Sequence, residues 1–194
     1  MSSRILWDAD AFICAYSLGL LRQIASAPAE KLGFVMTEYV ARRELCDLAA
    51  EIGRLKAAGW LFVERMSSAR SSPEGKRYHE LQQGKLRVHK GEAEALAWTK
   101  ERAAAPLPVF ISNDRRARQA AARLKLPYGD LLDFVIIALD AGVLAKDDAE
   151  RHLAPWNTKV QAQCRPRDYV GDLHIAIERR RVRPTFYPPD RELD

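Results

Sequence analysis

Apolar and polar positions along this chain alternate between short continuous apolar runs and longer stretches with a helical repeat. Ile5-Leu6-Trp7, within residues 4–8, predicts a short buried strand, and Ala11 to about Leu21 predicts a helix. Gly33-Phe34-Val35-Met36 predicts a second strand. Thr37 is placed to cap the following helix, on which Ala41, Leu45, Leu48, Ile52 and Leu55 recur at helical spacing until Gly59 ends it. Trp60-Leu61-Phe62-Val63 predicts a third strand, and the Ser-rich stretch Met66 to Gly75 has no apolar period and reads as a loop. Helices are expected over Lys76 to Gln83 and from Gly91 to about Ala104, then a strand over Val109 to Ser112. Ala117, Ala120, Ala121 and Leu124 mark one face of the next helix, and Phe134 to Leu144 forms another that breaks at Gly142. Strands alternating with helices argue for βαβ units, a central parallel sheet and the α/β class. From Pro155 onward the pattern degrades: Leu173, Ile175 and Ile177 alternate as in a strand, followed by Arg179-Arg180-Arg181 and a Pro-rich end. The expected organisation is one domain over residues 1–154 and a short, basic, Pro-rich C-terminal extension over residues 155–194.

Acidic residues stand at informative places on this frame. Asp8 ends the first apolar run, and Asp10 makes a D-x-D with it; Asp10 either caps the helix beginning at Ala11 or joins Asp8 in a site. On the second helix Glu38 and Glu44 each lie about 60° from the centre of the apolar stripe, at 100° per residue. Glu38, in the first turn, is explained by the helix dipole. Glu44 has no such explanation, so it is the favoured candidate, with Glu38 as the alternative. Glu92 and Glu94 open a helix and project about 200° apart. Glu92 shares a face with Ala95, Leu96 and Thr99, whereas Glu94 is expected to face solvent. Asp114 ends the Val109–Ser112 run, where Asp114, Asn113 or Ser112 is also placed to cap the next helix. Acids at the C-terminal ends of parallel strands, and on helices facing them, converge on one crevice. Carboxylates without a counter-charge repel one another until a hard cation binds, and Mg²⁺ or Mn²⁺ suits an all-oxygen site. The pattern points to metal-assisted phosphodiester chemistry.

Composition narrows the partners. At 194 residues, 47% apolar and 29% charged, the chain suits one globular domain. No apolar stretch approaches the roughly 18 residues of a membrane span, and no signal-peptide layout opens the sequence, so a cytoplasmic protein without a membrane is expected. Cys14, Cys46 and Cys164 are few and far apart and read as reduced thiols, neither a zinc site nor a disulfide framework. The formal charge of +5 favours an anionic partner, nucleic acid first. Arg115, Arg116, Arg118 and Arg123 lie mainly off the alanine face of their helix, and His89 and Lys90 precede Glu92. Each set reads either as a solvated surface or as phosphate contacts at the rim of the acids.

These residues resemble the PIN-domain family of metal-dependent nucleases over about residues 4–145. The resemblance is carried by Gly91-Glu92-Ala93-Glu94-Ala95-Leu96-Ala97, similar to the family's "GE-x-EA-x-x-LA" helix, and by Ser112-Asn113-Asp114, similar to its "T/S-x-D" strand end. Ile5-Leu6-Trp7-Asp8 matches the opening strand with its acid, and Val40 to Leu45 resembles the "V-x-x-EL" helix. Two departures stand out: Val40 to Glu44 holds one residue more than the commonest spacing, and Asp10 stands where many relatives carry Ser or Asn.

The resemblance implies a three-layer α/β/α sandwich. It also implies a pocket of Asp8, Glu44, Glu92 and Asp114 binding Mg²⁺ or Mn²⁺, with Asp10 and Glu38 as additional or alternative ligands. Around it, Ser112, Asn113, Arg115, Arg118 and Lys90 would contact substrate. The implied activity is that of an endoribonuclease, often the toxin of a type II toxin–antitoxin pair (VapC-like). RNA, an antitoxin protein and a second copy of the chain are then the expected partners. The competing reading is a non-catalytic binding module of the same fold. A haloacid-dehalogenase-type phosphatase is also suggested by Ile5 to Asp10, Phe110 to Asn113 and Gly129 to Asp133. The interval Asp114 to Tyr128 holds little more than one helix, however, and leaves no room for that family's intervening units.

Overall fold

A computed structural model describes residues 3–84, 87–157, 165–166 and 169–182. Its apolar runs form five parallel strands, β1 (Ser3–Trp7), β2 (Leu32–Thr37), β3 (Leu61–Glu64), β4 (Val109–Ile111) and β5 (Tyr128–Gly129), in the order β3-β2-β1-β4-β5. Leu6 is in register with Val35 and Phe110, and Phe34 with Leu61. Because side chains alternate across a strand, the sheet divides its apolar residues between two cores. Ile5, Trp7, Phe34, Met36 and Ile111 lie in one core, and Leu6, Val35 and Phe110 in the other.

The first core is covered by α1 (Ala9–Ser17), α2 (Leu20–Ile24), α3 (Ala49–Ala57), α7 (Leu131–Asp140), α8 (Lys146–Leu153) and α9 (Leu173–Val182). The second lies under α5 (Lys90–Glu101) and α6 (Arg115–Arg123), with α4 (Pro73–Gln83) packed beside α5. The result is an α/β/α sandwich, as expected. Trp7 sits at the centre of the first core, edge-on to Phe12, Phe34 and Phe134 at centroid distances of 5.7, 5.6 and 4.6 Å.

Several local readings are corrected. The helix expected over Ala11–Leu21 is two helices, because Gly19 adopts φ 75° between them. The helix expected after Thr37 is not continuous: a π-helical turn over Val40–Glu44 and a 3₁₀ turn over Cys46–Leu48 precede α3. The two-residue β5 has no apolar run long enough to announce it. Cys14 is disulfide-bonded rather than a reduced thiol, whereas Cys46 is free and exposed; Cys164 lies outside the described residues.

The alternation of Leu173, Ile175 and Ile177 belongs to a helix, α9, not a strand. Leu173, Ala176, Ile177 and Arg180 are the buried positions, spaced i, i+3, i+4 and i+7, while Ile175 is exposed. The alanine and the arginine on the buried face disguised the period.

Arg180 anchors α9 at the far end of the sheet. Its Nη1 donates to both Asp133 carboxylate oxygens at 2.9 Å, and its Nη2 donates to Asp130 Oδ2 at 2.9 Å. The three residues are 4%, 0% and 7% exposed for Arg180, Asp133 and Asp130. Asp130 and Asp133 also cap α7: Asp130 Oδ1 accepts from the Leu132 N–H, and Asp133 Oδ2 accepts from the Asp130 N–H. Removing the guanidinium takes its charge away from two buried carboxylates, a loss of about 3–5 kcal/mol. Arg180→Met is therefore expected to lower the free energy of unfolding by that amount in a urea titration, and Asp133→Asn in the same background to recover part of it. A loss of less than about 1 kcal/mol, the range of an exposed pair, would contradict the arrangement.

Candidate active site

From β1 the chain winds outward through β2 and β3, then returns to place β4 on the opposite side of β1. The connections leaving the carboxyl ends of β1 and β4 thus diverge and open a crevice, the place where open α/β sheets bind ligands. Asp8 lies at its floor. The Asp8 N–H continues the ladder by donating to the Ile111 carbonyl at 3.0 Å, and its side chain caps α1 by accepting from the Ala9 N–H at 2.8 Å. Asp8, not Asp10, is therefore the cap of α1. The residue is 3% exposed, and its second oxygen, Oδ2, accepts from the buried Ser112 hydroxyl at 2.8 Å.

Ser112 joins the two strand ends. Its Oγ also accepts from the Asp114 N–H at 3.1 Å, so one hydroxyl sets both the Asp8 carboxylate and the loop carrying Asp114. Arg118 holds this loop from α6, donating to the Ser112 carbonyl at 2.6 Å. Asp114 caps α6 through the Arg116 N–H. Asn113 points elsewhere: its Oδ1 accepts from the Leu131 N–H at 3.3 Å, which ties the loop to the start of α7. Arg115, Lys90 and His89 are exposed.

Glu92 enters from the first turn of α5, 5% exposed, with Oε2 accepting from the His89 N–H at 2.8 Å. Glu44 arrives by a less ordinary route. The Leu45 N–H donates to the Val40 carbonyl at 3.0 Å, five residues back, so Val40–Glu44 forms a single π-helical turn. Such turns take up one extra residue in a helix and recur at functional sites. The turn delivers Glu44 against Gly91, where a Cβ would come within 2.7 Å of the Glu44 carboxyl carbon. Glycine is the residue that lets this carboxylate approach α5. Glu38 is directed outward, paired with Arg42 at 3.1 Å and Arg65 at 3.6 Å.

The carboxylates feel one another. Burial holds the Asp8 carboxyl well above the ordinary carboxylate range; the charges of Glu92, Asp10 and Glu44 add to the shift and the Ser112 hydroxyl opposes it. Burial likewise raises Glu92, with Asp114 and Asp10 contributing, and raises Glu44, with Asp10 contributing; the Gly91 amide opposes the shift at Glu44. The exposed Asp10 thus shares the electrostatic field of the buried acids. Among the described residues, none of Asp8, Asp10, Glu44, Glu92 and Asp114 is in a salt bridge.

Glu94 was expected to face solvent and does not. It is half-buried, accepts from the Tyr39 N–H at 3.1 Å, and its carboxyl is raised by burial and by the nearby Glu38 and Glu44. Glu94 is covered because α5 is enclosed by α4, α6 and β2, so that residues on more than one of its faces are buried.

As arranged, no three His, Cys, Asp or Glu side chains among the described residues already surround a common point as metal ligands do. The donor set is nonetheless all oxygen, crowded and, among the described residues, not paired to Lys or Arg, which is the chemistry a hard divalent cation matches. Comparisons of the chain with protein-family models, with curated proteins and with solved structures returned no match.

Two predictions follow from this geometry. A carboxyl whose pKa is raised by folding keeps its proton where the unfolded chain has lost it. Its stabilising contribution is complete below the unfolded pKa and is lost as pH rises through the folded one. Asp8, Glu92 and Glu44 all shift this way. Without divalent ions, the melting temperature should fall as pH rises from about 4 through the raised values. Asp8→Asn should melt above the wild type at neutral pH and should show a shallower pH slope. Thermal scans over pH check this, and a variant that melts below the wild type would contradict the repulsion.

The second prediction concerns the π-helical turn. Gly91→Ala and Glu44→Gln should each weaken Mn²⁺ binding by about tenfold or more, in the range found for groups that orient metal ligands, whereas Glu38→Gln should leave it unchanged. Calorimetric titration of Mn²⁺ into the three variants decides the point, and a loss confined to Glu38→Gln would place the second acid there.

Proposed function

We propose that this chain is a PIN-like, Mg²⁺- or Mn²⁺-dependent endoribonuclease that cleaves single-stranded or looped RNA. The observation that carries the reading is that the charges of Asp8, Glu44, Glu92, Asp114 and Asp10 act on one another beside the crevice between β1 and β4 while, among the described residues, no arginine or lysine is paired to them. A structural role would favour neutralising such buried charges; a site for a cation requires them.

Asp8, Glu92, Asp114 and Glu44 would hold the cation, with Asp10 at the exposed margin. A divalent ion so held lowers the pKa of bound water and screens the charge of a phosphodiester. The chain's own groups do the remaining work. The Ser112 hydroxyl fixes the Asp8 carboxylate against rotation, and Arg118 secures the Ser112 carbonyl, so the two strand ends keep a constant separation. Lys90, Arg115 and Arg116 are exposed beside Glu92 and Asp114, where they can meet backbone phosphates. The net charge of +5 supports a polyanionic substrate over a small phosphate monoester. The family resemblance suggests the setting of a type II toxin paired with an antitoxin protein.

The test is a panel of labelled RNA hairpins, single-stranded RNA, DNA oligonucleotides and phosphate monoesters, each with Mg²⁺, Mn²⁺ or EDTA. Single-stranded or looped RNA should be cut with metal and spared with EDTA. Asp8→Asn, Glu92→Gln and Asp114→Asn should each reduce the rate by about a hundredfold or more, roughly 2.7 kcal/mol of transition-state stabilisation, while keeping the fold by circular dichroism. Near-normal cleavage in any two of these variants would sink the assignment. Turnover of monoesters alone would favour the phosphatase reading, and RNA binding without metal-dependent cleavage would favour a binding module.

A further inference from the structure

The Ser-rich stretch after β3 plays no part in the acid site, yet it borders a cleft of about 730 Å³ lined by Val63, Glu64, Arg65, Ser67, Ser68 and Arg102, among others. The sheet is wholly parallel, so Arg65, which follows β3, lies at the carboxyl edge that also carries Asp8, and the cleft leads from there toward Arg102, at the opposite end of α5 from Glu92. Thr37 pairs with Glu64, which puts the Arg65 end of the cleft two strand spacings, about 10 Å, across from the end of β1.

Its walls are built rather than incidental. Ser72 Oγ donates to the Ala69 carbonyl at 2.9 Å and accepts from the Gly75 N–H at 3.0 Å. A Cβ on Gly75 would come within 2.6 Å of the Ala69 carbonyl carbon, so glycine allows the loop to lie against the first turn of α4. Arg102 is held from two sides: Nη1 donates to the Arg65 carbonyl at 3.0 Å, and Nε faces the buried Glu74 carboxylate at 3.4 Å. The Arg102 side chain is still 51% exposed. The Arg65 side chain is 86% exposed, and its contact with Glu38 at 3.6 Å is a long one. Two arginines thus face the cleft against the single acid of its lining, Glu64, with the Ser67 and Ser68 hydroxyls beside them.

We propose that this cleft is a phosphate-binding subsite that holds the backbone of single-stranded RNA away from the scissile bond, the strand running along the carboxyl edge from the acid crevice to the β3 loop. This rests on the ribonuclease reading for its substrate. Arg65 exchanges its long contact with Glu38 for a phosphate oxygen. Arg102, pre-set by Glu74, offers a second guanidinium edge, and planar guanidinium groups suit phosphate.

The experiment measures binding in EDTA, so that it does not depend on cleavage. Fluorescence anisotropy follows a labelled single-stranded RNA of roughly a dozen nucleotides, a DNA strand of equal length and a trinucleotide over a range of salt. Each phosphate contact on a single strand contributes about 0.7 to the slope of log K against log salt. Arg65→Gln should flatten that slope by about 0.7, and Arg65→Gln with Arg102→Gln by about 1.4, on both long strands, while trinucleotide binding is unchanged. Arg65→Gln is the decisive variant, since an exposed side chain can be removed without disturbing the fold. An unchanged slope overturns the subsite even if the protein cleaves RNA. A loss confined to RNA moves the contact from phosphate to ribose and overturns it equally. The expected flattening in a protein that cuts nothing supports the subsite and tells against the nuclease reading.

Discussion

Carboxylates confined in one crevice repel, and the folded chain must either neutralise them or carry the strain. Both solutions occur along the same edge of this sheet. At the end of β5, Asp130 and Asp133 are buried with Arg180, whose two terminal nitrogens contact both carboxylates. At the end of β1 and the start of α5, Asp8 and Glu92 are buried as deeply, and among the described residues they accept from a hydroxyl and backbone amides and have no guanidinium or ammonium partner; burial and neighbouring carboxylate charges raise both pKa values. The fold supplies a guanidinium to one pair and, among the described residues, none to the other. That contrast, more than any single acid, supports reading the β1/β4 crevice as the place for an external cation.

The rest of the site is arranged to keep those charges together despite their repulsion. Ser112 binds the Asp8 carboxylate and the Asp114 amide through one hydroxyl, and α1 and α6 each begin on a site acid, Asp8 and Asp114, used as a cap. The N-cap and site interpretations of these residues are therefore not alternatives. A carboxylate at a helix start gains from the amide it accepts and from the helix dipole, which offsets part of its repulsion by its neighbours. Glu92, in the first turn of α5, uses the His89 amide in the same way.

Four of the five strands, the parallel sheet and the acids that end β1 and β4 were legible because each depends on local features: apolar runs, turn residues and position. What was not legible depended on neighbours. The choice between Glu38 and Glu44 could not be made on an ideal helix, since both lie at equal angles to the apolar stripe. The π-helical turn at Val40–Glu44 breaks that symmetry, and only the clearance over Gly91 shows where Glu44 goes. Glu94 was misplaced because α5 is covered on more than one side, and α9 was read as a strand because Ala176 and Arg180 occupy buried helical positions that a hydrophobic pattern does not mark. Arg180 could not have been foreseen as buried from a run of three arginines; its burial is meaningful only with Asp130 and Asp133 in view.

Parallel strands impose one further constraint: every strand delivers its following loop to the same edge. The acids after β1 and β4, the capped pair after β5 and the arginine-bearing loop after β3 are therefore neighbours by topology, although they are scattered in sequence. An extended polyanion laid across that edge would meet guanidinium groups at β3 and carboxylates at β1 and β4, while at β5 the acids are already matched by Arg180. Guanidinium groups at one end and buried carboxylates near the middle make the edge asymmetric. On the proposed reading, a strand entering it would be held through its phosphates on the β3 side and presented to the acids at β1. The asymmetry comes from the position of the strand-order reversal, one strand in from β2, and not from any special sequence signal.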